Sequence, residues 1–199
     1  MIRFIGDIHG KKKEYLELLP NEYPSIQLGD YGMGFSGLKS PVDLILPSNA
    51  YFIRGNHDNP EVCKRHPNYL GDFGCKEIDG RKIFFVSGAW SIDWMYRREG
   101  ISWWPNEELS PSEMNVVYDM YCDEKPELVI SHDAPKEICT QLLPWGGKLH
   151  GNATETLFSA MFAEWKPKNW VFGHWHTTQQ ITLSGTDFQC LDELDYLDF

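Results

Sequence analysis

The stretch IRFIGDIHG, residues 2–10, sets an apolar run directly before a glycine-bounded phrase that carries Asp7 and His9. Short β-branched or aromatic runs that end at a turn former read as buried strands. The same construction recurs along the chain. SIQL precedes Gly29-Asp30, YFI precedes GNHD at 55–58, LVI precedes SHD at 131–133, and NWVF precedes GHWH at 173–176. Five of the seven histidines, His9, His57, His132, His174 and His176, fall inside these phrases. Open α/β sheets collect their chemistry at strand ends, so the five phrases are predicted to meet in one cavity.

Aspartate, asparagine and histidine are oxygen and imidazole donors, and no thiolate stands among them. Such a set suits Mn, Fe, Zn, Co or Ni better than Ca or a sulfur-seeking metal. Asp7 and His9 are two residues apart, as are His174 and His176. In extended backbone such pairs point to one side, so each pair is expected to face the cavity from a strand end. Gly6, Gly29, Gly55 and Gly173 leave room for tight turns and close backbone approach.

Asp-x-His, Gly-Asp, Gly-Asn-His-Asp, a lone His and Gly-His-x-His, in that order over residues 6–176, resemble the calcineurin-like metallophosphoesterases. The resemblance implies an α/β four-layer sandwich, two packed mixed β-sheets flanked by helices. It also implies two divalent metal ions, Mn first, with Fe, Zn, Ni, Co or Mg as alternatives. By motif position, Asp7, His9 and His176 would hold the first ion and Asn56, His132 and His174 the second, with Asp30 bridging. His57 would be the catalytic histidine, near the substrate but not on metal. The implied reaction is direct hydrolysis of a phosphate ester by metal-activated water, His57 protonating the leaving oxygen or stabilising its charge. The chain departs from the protein serine/threonine phosphatases of that family. YGMG follows Asp30 where they have the rest of GDxVDRG, so their phosphate arginine is missing and Met33 replaces the aspartate that orients the histidine. Asp58 and Asp133 are the candidates to orient His57 instead.

A chain of 199 residues, 42% hydrophobic, suits one packed domain over 1–199. No apolar stretch approaches membrane-span length. A cleavable leader would remove the strand at Ile2–Ile5, which disfavours secretion by that route. Five scattered cysteines without CxxC spacing fit reduced thiols and a cytoplasmic location. The net charge of −11 opposes extended nucleic-acid binding. Two divalent ions against two carboxylates and a hydroxide leave about +1 locally, which favours a small phosphorylated substrate. The oligomeric state stays open.

Residues 11–19 read as a helix ended by Pro20, and Asp79-Gly80 as a hairpin turn. Residues 111–122, opened by Ser110-Pro111, and 153–165, capped by Asn152, read as helices. Ile181–Leu183 and Phe188–Leu191 read as strands around Ser184-Gly185. The DELDYLD tail reads as a solvated acidic end. Lys11, Lys12 and Lys13 read as a solvated helix start that could also attract anions. Arg54 either reaches a phosphate or braces its loop. Residues 90–104 carry Arg97 and the Trp103–Trp104 pair, which either pack in the core or wall the cleft and stack on a substrate ring. His150 is the candidate to border the site from a glycine-rich loop. The function these features favour is a phosphatase for a small phosphorylated substrate. A phosphodiesterase or nuclease is the enzymatic alternative, and a metal-binding protein-docking scaffold the alternative of another class.

Overall fold

The computed structural model describes residues 1–35, 45–143 and 151–199. One sheet runs in the order β10 (Tyr196–Asp198), β1 (Arg3–Ile5), β2 (Ser25–Leu28) and β3 (Ala50–Ile53). The second runs β4 (Phe73–Ile78), β5 (Arg81–Val86), β6 (Leu128–Ser131), β7 (Asn169–Phe172), β9 (Thr186–Cys190) and β8 (Gln179–Leu183). β1, β2 and β3 are parallel, as are β5, β6, β7 and β9, while β10, β4 and β8 join antiparallel. Both sheets are therefore mixed, as expected.

Three apolar clusters define four layers. Phe4, Ile26, Leu28 and Ile53 of the first sheet meet Ile83, Phe85, Ile130 and Val171 of the second. The outer face of the first sheet, through Ile5 and Phe52, packs on Tyr15 of α1 (Lys12–Leu18) and Cys63 of α2 (Pro60–Cys63). The outer face of the second, through Phe84, Val129, Trp170 and Phe172, packs on three helices. These are α3 (Pro111–Glu124), α4 (Lys136–Leu142) and α5 (Ala153–Glu164). Each fully buried Phe or Ile here contributes about 1.5–3 kcal/mol.

Local chemistry sets the element ends. Ser110 and Glu113 form a capping box with Pro111 at the first helical position, and Asn152 accepts from Glu155 N at 2.8 Å. Asp79 and Gly80 both have positive φ, 50° and 70°, the turn that suits a two-residue hairpin. One expectation is overturned. The DELDYLD tail is not a free solvated end: Tyr196–Asp198 pairs antiparallel with β1. Leu197 packs against the inter-sheet core, and Arg3 both pairs with Asp198 at 2.7 Å and covers the Tyr196 ring. Alternation resolves the tail: Leu197 turns inward while its neighbours stay wet.

Candidate metal centre

The five phrases meet where the carboxyl ends of β1, β2, β3, β6 and β7 converge. Asp7 and His9 follow β1, Asp30 follows β2, Asn56 and His57 follow β3, His132 follows β6, and His174 and His176 follow β7. These residues do not continue their strands in extended form. His9, Asp30, His174 and His176 have φ of 42°, 54°, 68° and 46°. A left-handed backbone costs a non-glycine residue about 1–3 kcal/mol and persists where the surroundings over-determine it. Here they do. Ile8 N and His9 N both donate to Asp30 O, at 3.2 and 2.9 Å. The tail clamps the first loop through Leu194 N to Asp7 O and Gly6 N to Asp195 O. The expectation that i, i+2 alternation aims the pairs is therefore corrected: tight turns aim them.

Glycine makes the approach close enough. A Cβ on Gly55 would lie 2.5 Å from His132 Nε2 and from Asp30 N, and one on Gly173 would collide with Asp7 Oδ1.

His9 Nε2 and His176 Nε2 stand 3.0 Å apart, with Asp7 Oδ2 3.2 Å from His176 and 3.7 Å from His9. Asp7 Oδ2 is buried and makes no hydrogen bond among the described residues. On the other side Asp30 Oδ1 is 3.2 Å from His132 Nε2, and Asn56 Oδ1 is 3.3 Å from the same nitrogen. His132 Nδ1 donates to Leu28 O at 2.7 Å, which turns Nε2 toward the cavity. Ligand atoms of Asp7, His9, Asp30 and His176 lie within 4.8 Å of one another, as do those of Asp30, His132 and His174. Ligand atoms crowded this closely fit a cation between them once the imidazoles give up their protons.

The charges agree. Burial opposes ionisation of Asp7, but His132, His176 and His9 hold its carboxyl down at about 2. Burial likewise opposes Asp30, and His57 and His132 hold it well below the carboxylate range. Against its own burial, His132 is raised by Asp30 to about 10. The Asp7 carboxylate beside them raises His176, and raises His9 against burial. Without a metal the site neutralises its two aspartates with protonated imidazoles.

A cavity of about 340 Å³ opens beside this cluster, lined by Asn56, His57, Trp90, Ile92, Arg97 and Trp175 among others. His57 Nε2 accepts from Arg97 Nη2 at 2.5 Å, and its ring stacks on Phe35 at 5.0 Å. Burial lowers the His57 pKa, with Arg97 adding to the effect, to about 4.

Several sequence expectations need correction. Arg54 does not reach the cavity: it is buried, with Nε donating to Asp72 at 2.8 Å and Nη1 to Glu107 O at 2.5 Å. Neither candidate carboxylate hydrogen-bonds the His57 ring, whose Nε2 is held by Arg97. Asp58 accepts from the backbone of Tyr31, Gly32, Met33 and Gly55, so it braces the Asp30 loop against β3. Burial and Asp30 push its carboxyl up to about 6, against those donors. Asp133 accepts from Ala134 N and Trp175 Nε1. Trp104 is buried and meets Phe35 edge-on, while Trp103 packs on Trp94; neither lines the metal cavity. The aromatic wall is Trp90 with Trp175 instead. Lys11 pairs with the Glu193 carboxylate. His150 lies outside the described residues. Sequence reasoning missed Phe35, Ser91 and Glu107, which no motif marks. Trp175 was legible only as the middle of GHWH.

A donor set of this kind fits a metal-dependent hydrolase of phosphate esters. The chain belongs to the calcineurin-like phosphoesterase family, whose family model matches residues 1–178. Solved structures share the fold at low identity. The phosphopantetheinyl hydrolase PptH of Mycobacterium tuberculosis is 14% identical with a TM-score of 0.50, over 96% of this chain and 89% of that one. GAP50, the anchor in the inner membrane complex of Plasmodium, is 12% identical with a TM-score of 0.50, over 96% and 71%. No curated protein sequence matches the chain. Among the described residues, no helix is long and apolar enough to cross a membrane.

Proposed function

We propose that this chain is a two-metal phosphoesterase whose substrate is a small phosphomonoester. The observation that carries the reading is the sharing of Asp30 between two ligand groups, one with Asp7, His9 and His176, the other with His132 and His174. Asn56 joins the second through its amide oxygen. The donor set suits Mn, with Fe, Zn, Ni, Co or Mg as alternatives. When bound, such ions supply Lewis-acid charge to phosphoryl oxygens and ionise water at neutral pH.

The chain's own residues position the ester. Arg97 lines the cavity, anchored through Nε to Asp93 at 2.7 Å, and its guanidinium is the group that meets a phosphate oxygen there. In the resting form His57 is neutral, its Nε2 held by Arg97. A phosphate that draws the guanidinium away frees Nε2, and the loss of that cation beside an arriving anion raises the His57 pKa. His57 then meets the leaving oxygen as a proton donor. Trp90, Ile92 and Trp175 form the apolar side of the cavity and exclude water from the remote part of the substrate.

A screen of p-nitrophenyl phosphate against bis-p-nitrophenyl phosphate, each with Mn, Ni, Co, Mg and Zn, tests this. The monoester should turn over faster in a metal-dependent manner. Turnover of the diester alone would move the chain to the phosphodiesterases.

A further inference from the structure

Asn56 can serve a cation only by its oxygen, because the other end of its amide carries two N–H donors and no lone pair. Something must hold that amide one way round. Asn56 Nδ2 donates to Ser91 Oγ at 3.1 Å. Ser91 Oγ donates in turn to Glu107 Oε2 at 2.5 Å, and Ser91 N donates to Glu107 Oε1 at 2.7 Å. A hydroxyl has a single proton. With it committed to Glu107, Ser91 Oγ can only accept from residue 56. The amide must then turn its N–H to Ser91 and its oxygen toward His132, on the cavity side. Asn56, Ser91 and Glu107 are 3%, 0% and 3% exposed, so water does not compete for these bonds.

Only a carboxylate can play the part of Glu107. Ser91 brings two donors, one to each oxygen, and a glutamine offers one oxygen and one N–H₂. Either the Ser91 backbone donor or its hydroxyl would then face another donor. If the hydroxyl turns back toward residue 56, the Asn56 amide flips and presents N–H to the metal position.

We propose that Ser91 and Glu107 are positioning residues for the second metal ion, setting the orientation of the Asn56 amide by a relay of hydrogen bonds. The proposal rests on the reading of Asn56 as a ligand given above. Neither residue touches the ion. This gives the 88–107 segment a function that its tryptophans alone do not suggest.

Calorimetric titration of the metal-stripped protein with MnCl₂, followed by electron paramagnetic resonance of the manganese pair, tests it. Glu107→Gln should weaken the second ion about 10–100-fold, the usual effect of losing a partner behind a metal ligand, and leave the first within about twofold. Ser91→Ala, which leaves Nδ2 unfixed, should do the same if Glu107→Gln folds poorly. The discriminating variant is Asn56→Asp, whose two oxygens are equivalent and need no orientation. In that background Glu107→Gln should change the second-ion affinity by less than about threefold, a coupling that double-mutant cycles measure. Equal loss in both backgrounds, or loss of both ions together, would mean that Glu107 only glues the segment down, and overturns the relay. Unchanged second-ion affinity in Glu107→Gln also overturns it while leaving the two-metal reading intact. Fewer than two ions on the wild type would remove that reading, and the relay with it.

Discussion

Gly55→Ala separates the packing of the metal centre from general stability. Gly55 lies between Arg54 and Asn56, and its φ is outside the left-handed region, so alanine brings no backbone strain there. What it brings is a methyl group 2.5 Å from His132 Nε2 and from Asp30 N, and nearer still to Asp30 Oδ1. Ordinary contact begins at 3.4 Å, so these atoms must retreat by about 1 Å. Asp30 N is backbone, held in a turn at φ 54° and tied on through its carbonyl to the His9 loop, so it cannot yield alone. Overpacking of this kind costs about 1–3 kcal/mol. At about 2–4 °C per kcal/mol for a chain of this size, the Tm should fall by about 2–12 °C. A displacement of about 1 Å at reacting groups can cost about 10²-fold in rate, and both ligand groups share Asp30. Gly80→Ala is the control, since its φ of +70° brings strain but nothing lies within 4 Å of its Cβ. Calorimetric melts and elemental analysis of both variants should show lost stability in each and lost metal only in Gly55→Ala. Two ions and wild-type turnover in Gly55→Ala would refute the packing argument.

Asp30→Asn should weaken both ions together, whereas His176→Ala should weaken chiefly the one held with Asp7 and His9; elemental analysis of the purified variants distinguishes them. Metal loading at pH 7 should release protons, because His132 is raised to about 10 and His9 and His176 are raised as well, and a ligand nitrogen must be bare. Titrations in buffers of different ionisation enthalpy read this, and Mn affinity should rise with pH. The same shift has a stability sign: the His132 contribution to the metal-free fold is complete below about pH 6.5 and is lost as pH rises through about 10, so the metal-free Tm should decline over that window. Trp104→Ala should cost about 3–5 kcal/mol in melts with little substrate selectivity, as expected of a buried tryptophan. Trp90→Ala should instead raise KM for ring-bearing esters over a minimal one.

Much of the fold was legible because its strands are short apolar runs cut off by glycine or a polar turn. IRFI, SIQL, YFI, LVI and NWVF each coincide with a strand that has the phrase at its carboxyl end. β10 was hidden because only Leu197 turns inward and acids surround it, so its burial depends on a partner at the other end of the chain. α2, a single turn of four residues, is too short to show helical periodicity. The donors of the site were legible as types, but their aim was not. Four of them sit at positive φ, a property of turns that bond across strands and one that strand alternation does not foresee. Arg54 illustrates the remaining gap. A cation beside a ligand reads equally as an anchor or a brace, and only the positions of Asp72 and the Glu107 carbonyl decide for the brace. Ser91 and Glu107 act on Asn56 from 35 and more residues away, which no local pattern encodes.

The most direct test of the central claim is an activity titration of metal-stripped protein with MnCl₂, following p-nitrophenyl phosphate hydrolysis against bound manganese per chain. The two-metal reading predicts negligible hydrolysis without metal and a rise that saturates at two bound ions per chain. Full activity in the stripped protein, or saturation at a single ion, would contradict it.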